Sequence, residues 1–427
     1  MKKFPLLLIS LFLLLATLPL RAQKEVGITV QKGVPMISVA LPKPIFTSSN
    51  PEVVKTGNYI FAVLKEDLAF SLVFSEVPDG FYSFIRPLDP NQIFYKDWES
   101  IGAKVLVTTQ VKEGTAGEIV YEMGVYDVKT EKMIFGKKYS GRSSIARTIS
   151  HKAADAMMTA FGEKPIFTSK ISFISNRDGN KEVYMMDYDG YNQVRLTDNT
   201  YIEMIPAISP DKNRISYTSY RSGRPDLYIQ DLTTGRTKLL ARGGTNYGAK
   251  WSHDGSELTY TSSRSGNAEI YTADGSGDGS KQITFHGSID SSPDFSPNRQ
   301  EIAFISDRGG SPQLYVMNRD GSNIRKISFE GHYNDSPAWS PDGESLMFVS
   351  RIENQFNIYL YNLRDQTVRK LTEGGRNENP SWSPDGRHIV FSSTIQGTAQ
   401  LYIMDYNGRR LKKLTQSGTN TTPYWSK

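Results

Sequence analysis

Six positions set 43 or 44 residues apart carry a carboxylate or an amide: Glu203, Asn246, Asp290, Asn334, Asn377 and Asn420. Four arginines, Arg177, Arg221, Arg264 and Arg308, recur at the same interval. Such groups pair charges and exchange hydrogen bonds, but none is a nucleophile. Gathered into one ring they form a polar platform suited to a partner's loop or helix end. Turn chemistry accounts for the acidic and amide residues equally well, since Asn and Asp favour turns ahead of an extended X-Pro segment, and Pro follows three residues later in five of the six. Rim salt bridges with neighbouring acidic loops are the simpler role for the arginines.

Catalytic patterns are absent from the sequence. It contains no Gly-x-Ser-x-Gly elbow, and no Gly-rich phosphate loop follows a strand. His151, His253, His286, His332 and His388 stand at no metal-ligand spacing and are expected to be solvated in turns. The run from Asp274 to Ser280 has the glycines of a calcium loop without its terminal bidentate acid, and reads as a turn. No catalytic residue, metal site or cofactor is therefore assigned.

The elements that position the polar residues repeat with them. Phe or Tyr, then Ser two residues later, then Tyr nine residues further, occurs at Phe173-Ser175-Tyr184, Tyr217-Ser219-Tyr228, Tyr260-Ser262-Tyr271, Phe304-Ser306-Tyr315, Phe348-Ser350-Tyr359 and Phe391-Ser393-Tyr402. A landmark at Ile208, Trp251, Phe295, Trp339, Trp382 and Trp425, mostly followed by Ser-Pro-Asp-Gly, keeps the same phase. Four short strands per period of this size predict a β-propeller blade. Five complete units can be counted. The leftover pieces, three strands over 170–196 and one over 422–426, complement each other, so a sixth blade shared by both ends is expected to close the ring over 164–427. The ring positions then fall in loops between the last strand of one blade and the first of the next, around the mouth of the central channel. The repeat serines and tyrosines read as packing between blades.

Ahead of the repeat, residues 23–163 read as a small α/β domain. Strands are predicted over 26–30, 36–41, 104–110, 118–127 and 133–139, with helices over 59–73 and 144–161. Residues 1–22 have the form of a secretory signal peptide: Lys2 and Lys3, an apolar run from Leu6 to Leu18, and a small residue at Ala22. Its removal takes the formal charge from +5 to +2, with basic and acidic residues interleaved, which argues against nucleic acid as a partner. The chain has no cysteine, which excludes a lipid-anchored or disulfide-built protein. A soluble, monomeric protein of a bacterial envelope compartment is expected, without membrane insertion.

Met186-Asp-Tyr-Asp-Gly-Tyr-Asn-Gln193, Glu25-Val-x-Ile-x-Val30, Trp98 with Ile101-Gly-Ala-Lys-Val-Leu106, and His151-Lys-Ala-Ala-Asp155 carry a resemblance over essentially the whole mature chain. It resembles the TolB family, the periplasmic propellers of the Tol-Pal envelope system. The resemblance implies a non-enzymatic scaffold that maintains outer-membrane integrity, supports cell division, binds the lipoprotein Pal at the propeller mouth and offers an N-terminal segment to TolA. It places Glu203, Asn246, Asp290, Asn334, Glu378 and Asn420 near Pal, and Glu25, Val26, Ile28 and Val30 in the TolA-binding strand. Residues 42–58 and Asn246 depart from the family pattern. Other readings are a paralogue serving another envelope machine and a secreted propeller hydrolase or lyase, which would need a His-acid cluster in the channel.

Overall fold

A computed structural model describes residues 36–89, 91–328 and 332–426. Glu25, Val26, Ile28 and Val30 lie outside the described residues. Helix α1 (Pro51–Phe70) begins where Asn50 accepts a hydrogen bond from the Glu52 amide and Pro51 presets the first turn. It starts eight residues earlier than the sequence predicts, because the Asn-Pro start signal outranks the apolar periodicity on which the expectation rested. Val53, Ile60, Leu64 and Leu68 line its buried face. Helix α3 (Ala146–Ala160) buries Ile149, Ala153 and Met157 at four-residue spacing, and Gly162 beyond it takes φ 78°. A short helix α2 (Tyr95–Ser100) lies between them in sequence.

The sheet beneath has the order β3-β1-β4-β5-β6, formed by β1 (Ile37–Ala40), β3 (Phe74–Glu76), β4 (Val105–Glu113), β5 (Ile119–Asp127) and β6 (Lys132–Gly141). The short β2 (Ile45–Phe46) pairs with β4. Strand β1 runs parallel to β3 and β4, while β4, β5 and β6 form an antiparallel meander. Alternate residues of β5, Ile119, Tyr121, Met123 and Val125, are buried.

Six four-stranded antiparallel sheets follow, which makes the remainder a six-bladed propeller. Blade 1 takes its innermost strand, Asn420–Trp425, from the chain's end and pairs it with Lys170–Ser175. The innermost strands of blades 2 to 6 are Glu203–Ile208, Asn246–Trp251, Asp290–Phe295, Tyr333–Trp339 and Asn377–Trp382. Two landmark tryptophans tie their blades to the preceding one: the indole of Trp251 donates to Ala207 O at 3.0 Å and that of Trp382 to Ala338 O at 3.3 Å. In the Ser-Pro-Asp-Gly turn of blade 5, Ser340 accepts from the Ser345 amide at 2.9 Å and Asp342 from the Glu344 amide at 2.9 Å, with Gly343 at φ 77°.

One apolar core spans both units, joining Leu64, Leu68, Phe74 and Met157 to Phe173, Val390, Leu401 and Trp425. Asp155 pins the connecting segment by accepting the amides of Ile166, Phe167 and Thr168 at 2.8–3.0 Å. Phe70 stacks on His388 with ring centroids 3.8 Å apart, Glu163 pairs with Arg387 at 2.8 Å, and Lys212 Nζ donates to Thr168 O at 3.1 Å. Arg387 and Lys212 belong to turns between the first and second strands of their blades. Strands alternate in direction, so these turns share one face of the disc, and the α/β unit sits there. Among the described residues, the opposite face carries no such unit.

Candidate functional site

The open face carries the loops that enter each innermost strand, and the structure moves the polar ring off them. Glu203, Asn246, Asp290, Asn377 and Asn420 are the first residues of their innermost strands and Asn334 is the second; all six are buried. Each pairs across the ladder with a repeat serine: Glu203 with Ser219, Asn246 with Ser262, Asp290 with Ser306, Asn334 with Ser350, Asn377 with Ser393 and Asn420 with Ser175. Their side chains are spent inside the fold. Glu203 accepts from Asn199 at 2.9 Å and Ser219 at 3.1 Å, and burial pushes its carboxyl above the usual range. Asn246 accepts from Ser262 at 2.6 Å, Asn334 donates to Gln313 at 3.0 Å, Asn377 to Gly374 O at 2.9 Å, and Asn420 to Gln400 at 2.9 Å. An unpaired buried amide or carboxylate is costly, so residues of this type require these partners.

The rim arginines follow the same inward logic, and one of the four makes the expected ion pair. Arg308 pairs with Asp290 at 2.8 Å, and Arg177 donates to the Asn420 amide oxygen at 3.0 Å. Arg221 lies 3.7 Å above the Tyr228 ring and Arg264 4.0 Å above Tyr271. The repeat tyrosines stack on the aromatic of their own blade, as in Tyr217–Tyr228 and Phe391–Tyr402, and also share apolar clusters with the preceding blade, Tyr228 with Ile174 and Val183 and Tyr402 with Met347 and Ile358.

What reaches the channel is the next part of each innermost strand. The register slips there in all six blades, and Ile205, Gly248, Ser292, Ser336, Asn379 and Thr422 take φ of 48° to 68°. These are β-bulges, which turn the strand and let the following Pro sit where no ladder donor is needed. The bulge, rather than an extended X-Pro turn, is what the recurrent Pro marks. A cavity of about 180 Å³ is lined by these residues together with Tyr247, Lys250, Asp294, Asp335 and Tyr424. Lys250 Nζ reaches Pro337 O at 2.7 Å. Near the mouth, Asp335 accepts from Ser292 at 2.9 Å and from Tyr333 at 3.2 Å, while Glu378 pairs with Arg376 at 2.8 Å. Glu378 is the one sequence-predicted acid there whose side chain remains a third exposed.

Apolar side chains that sequence reasoning missed stand in loops of the open face. Tyr201, Ile202, Phe285 and Ile289 precede innermost strands, and Tyr220 and Ile395 lie between second and third strands; all six are exposed, Phe285 by 78%. Exposed aromatic residues in loops between turn-formers were the available signal.

A second cluster lies at the junction with the α/β unit. His151, on α3, has Nδ1 2.8 Å from Asp67 Oδ2 and Nε2 3.4 Å from Asp189 Oδ2. Arg147 bonds the same Asp189 through Nε at 3.0 Å and through its terminal nitrogen, and Tyr188 donates to Asp67 at 2.6 Å. His151 and His388 are thus buried, not solvated in turns, while His286 and His332 are exposed. Burial pulls the His151 pKa down, but Asp189 and Asp67 more than offset it and lift it to about 9. His388 lacks such partners, and burial lowers it to about 3. The stretch from Asp274 is a turn between the last two strands of blade 3, with Asp278 paired to Lys238 at 2.7 Å.

A six-bladed propeller closed between its own ends, with an α/β unit packed on one face, is the class of protein the fold defines. The family model for the TolB β-propeller domain matches residues 157–427, and that for the TolB amino-terminal domain matches residues 26–134. A TolB homolog of Chlorobium luteolum is 33% identical over 68% of this chain and 67% of its own length. A Tol-Pal system protein TolB of Desulfosudis oleivorans is 36% identical over 50% of each chain. With this relative and with one from Chlorobium chlorochromatii, matched over 47% of its length, the chain spans about half the relative's length. The crystal structure of TolB from Acinetobacter baumannii superposes with a TM-score of 0.75 at 26% identity, covering 92% of this chain and 96% of that one. The chain belongs to the TolB family.

Proposed function

We propose that this protein is a non-enzymatic periplasmic scaffold of the Tol-Pal system, exported by the segment 1–22, that binds the lipoprotein Pal on the open face of its propeller and TolA through the segment containing Glu25, Val26, Ile28 and Val30. In this role it supports outer-membrane integrity and cell division, acting as a monomer. The observation that carries the reading is the asymmetry of the disc. One face is occupied by the α/β unit, whereas the loops of the other expose Phe285, Ile289, Tyr201, Ile202, Tyr220 and Ile395. An apolar rim with a polar centre is the composition of a protein-binding surface. The one grouping of His with carboxylates close enough to share an ion, among the described residues, is sealed at the domain junction, where no substrate reaches it.

Within this reading Glu378 and Phe285 touch the partner, and the buried ring shapes the loops that carry them. The strand-like alternation of residues 25–30 suits addition to the edge of a partner's sheet. Calorimetric titration of the mature protein with the soluble domain of a Pal-type lipoprotein tests the propeller half. Phe285→Asp and Glu378→Lys are expected to weaken binding at least about tenfold each with the fold intact. Unchanged affinity in both variants removes the open face from the binding site.

A further inference from the structure

We propose that protonated His151 is a latch that fixes the α/β unit on the propeller, bridging Asp67 of the one and Asp189 of the other, so that loss of its proton loosens this side of the junction while the shared apolar core keeps the two units folded and joined. The geometry favours the charged ring. Nδ1 of His151 bonds Asp67 at 2.8 Å, while Nε2 makes no hydrogen bond but stands 3.4 Å from Asp189 Oδ2, so a neutral ring would leave a buried lone pair beside a negative charge.

The groups around it balance only in that state. From the α/β unit come Asp67 of α1 and Arg147 of α3, with Tyr59 of α1 within 3.1 Å of the Arg147 guanidinium. From the propeller come Tyr188 and Asp189, in the turn after the third strand of blade 1, and Tyr191, whose ring lies 3.6 Å from Arg147. Two anions meet two cations, with side-chain exposures of 1% for Asp67, 4% for Asp189, 4% for His151 and 10% for Arg147. Removal of the His151 proton leaves a net negative charge in a dry junction, and its cheapest relief is to separate Asp189 from Asp67 by admitting water. The shifts agree: His151 is raised to about 9, and Asp189 is held down to about 2, burial opposing and His151 with Arg147 prevailing.

The side chains of Asp67, His151 and Asp189 stand within the span a metal ion could bridge. Arg147, however, already lies on the Asp189 oxygen that such an ion would need, and both imidazole nitrogens face carboxylates.

The chain has no cysteine, so Lys137→Cys on β6 and Arg364→Cys on the propeller, both at exposed sites, admit spin labels at two chosen points of the full-length protein. Pulsed electron resonance should give one narrow distance distribution near neutrality. It should broaden as pH passes about 9, with far-UV circular dichroism unchanged. In His151→Gln, and in Asp189→Asn, which leaves the contacts inside α1 and α3 in place, the distribution should be broad near neutrality and insensitive to pH. A distribution that stays narrow above that pH, or in both variants, overturns the latch. Broadening by a chelator at neutral pH, or narrowing by added zinc at high pH, overturns it in favour of a metal bridge.

Discussion

Nη2 of Arg308 lies 2.8 and 3.0 Å from the two carboxylate oxygens of Asp290, and neither side chain is free to meet a partner: Asp290 is wholly buried and Arg308 only 16% exposed. This separates two acids that the sequence treats alike. Asp290→Lys places a second cation against Arg308 and should cost about 3–5 kcal/mol, the penalty of a broken buried pair. Glu378→Lys, on a side chain one third exposed, should shift stability by only about half a kcal/mol. Urea midpoints of the two variants measured side by side decide it, and equal midpoints would mean that Asp290 is not an internal strut.

The propeller was legible because its residues repeat: one aromatic, one serine and one tyrosine per period fix strand, pairing and phase at once. The fate of the ring was not. Carboxylates and amides usually signal exposure, and nothing local to Asn334 reveals that Gln313, twenty-one residues earlier, will accept its hydrogen bond. The bulges were hidden for the opposite reason, since Ile205 and Thr422 are β-branched residues that backbone preference keeps out of the left-handed region. His151 and Asp67 are 84 residues apart and meet only when α1 packs on α3. A faint signal existed, for Asp67 stands beside Leu68 on the apolar face of α1, and a polar group there must find a partner.

Closure by the chain's last strand should be measurable at Trp425. Its side chain is fully buried and its indole donates to Ser169 at 2.7 Å, where the first and last strands of the propeller meet. Trp425→Ala should destabilise by about 3–5 kcal/mol, the usual cost of emptying a large aromatic site. Thermal unfolding should show it together with greater aggregation, because a loosened closing strand exposes two sheet edges. A melting temperature equal to that of the unaltered chain would place the stability of the ring elsewhere.

The junction also predicts a pH optimum for stability, with the sign set by each shift. His151 has a folded pKa of about 9 against an ordinary 6.5, so its contribution is complete below 6.5 and is lost as pH rises through 9. Asp189, at about 2 against 3.8, contributes above 3.8 and loses that contribution as pH falls through 2. Asp67 is raised by burial, so its contribution is present only below 3.8 and fades as pH rises, a partial offset. Stability should therefore be greatest between about 4 and 6.5 as far as these groups govern it, declining by on the order of 2 kcal/mol toward pH 9. In His151→Gln the alkaline decline should flatten, and denaturant titrations across the range would show whether it does.

Thr422 offers the test of whether the bulges store strain. It holds φ 48° in the closing strand, a conformation that costs an L-residue roughly 1–2 kcal/mol and a β-branched one no less. Its hydroxyl is buried without a hydrogen-bond partner, so removing the side chain breaks no bond. Glycine already fills the equivalent place in blade 3, at Gly248 with φ 68°. Thr422→Gly should relieve the strain while surrendering about 0.5–1 kcal/mol to the greater freedom of the unfolded chain. The net expectation is a gain of roughly 0.5–1 kcal/mol, read as a higher urea midpoint at unchanged slope. Thr422→Ala separates the two contributions: it removes the unpaired hydroxyl but keeps the strained backbone, and should recover less than glycine does. If alanine stabilises as much as glycine, the cost of Thr422 lies in its buried hydroxyl and not in the bulge.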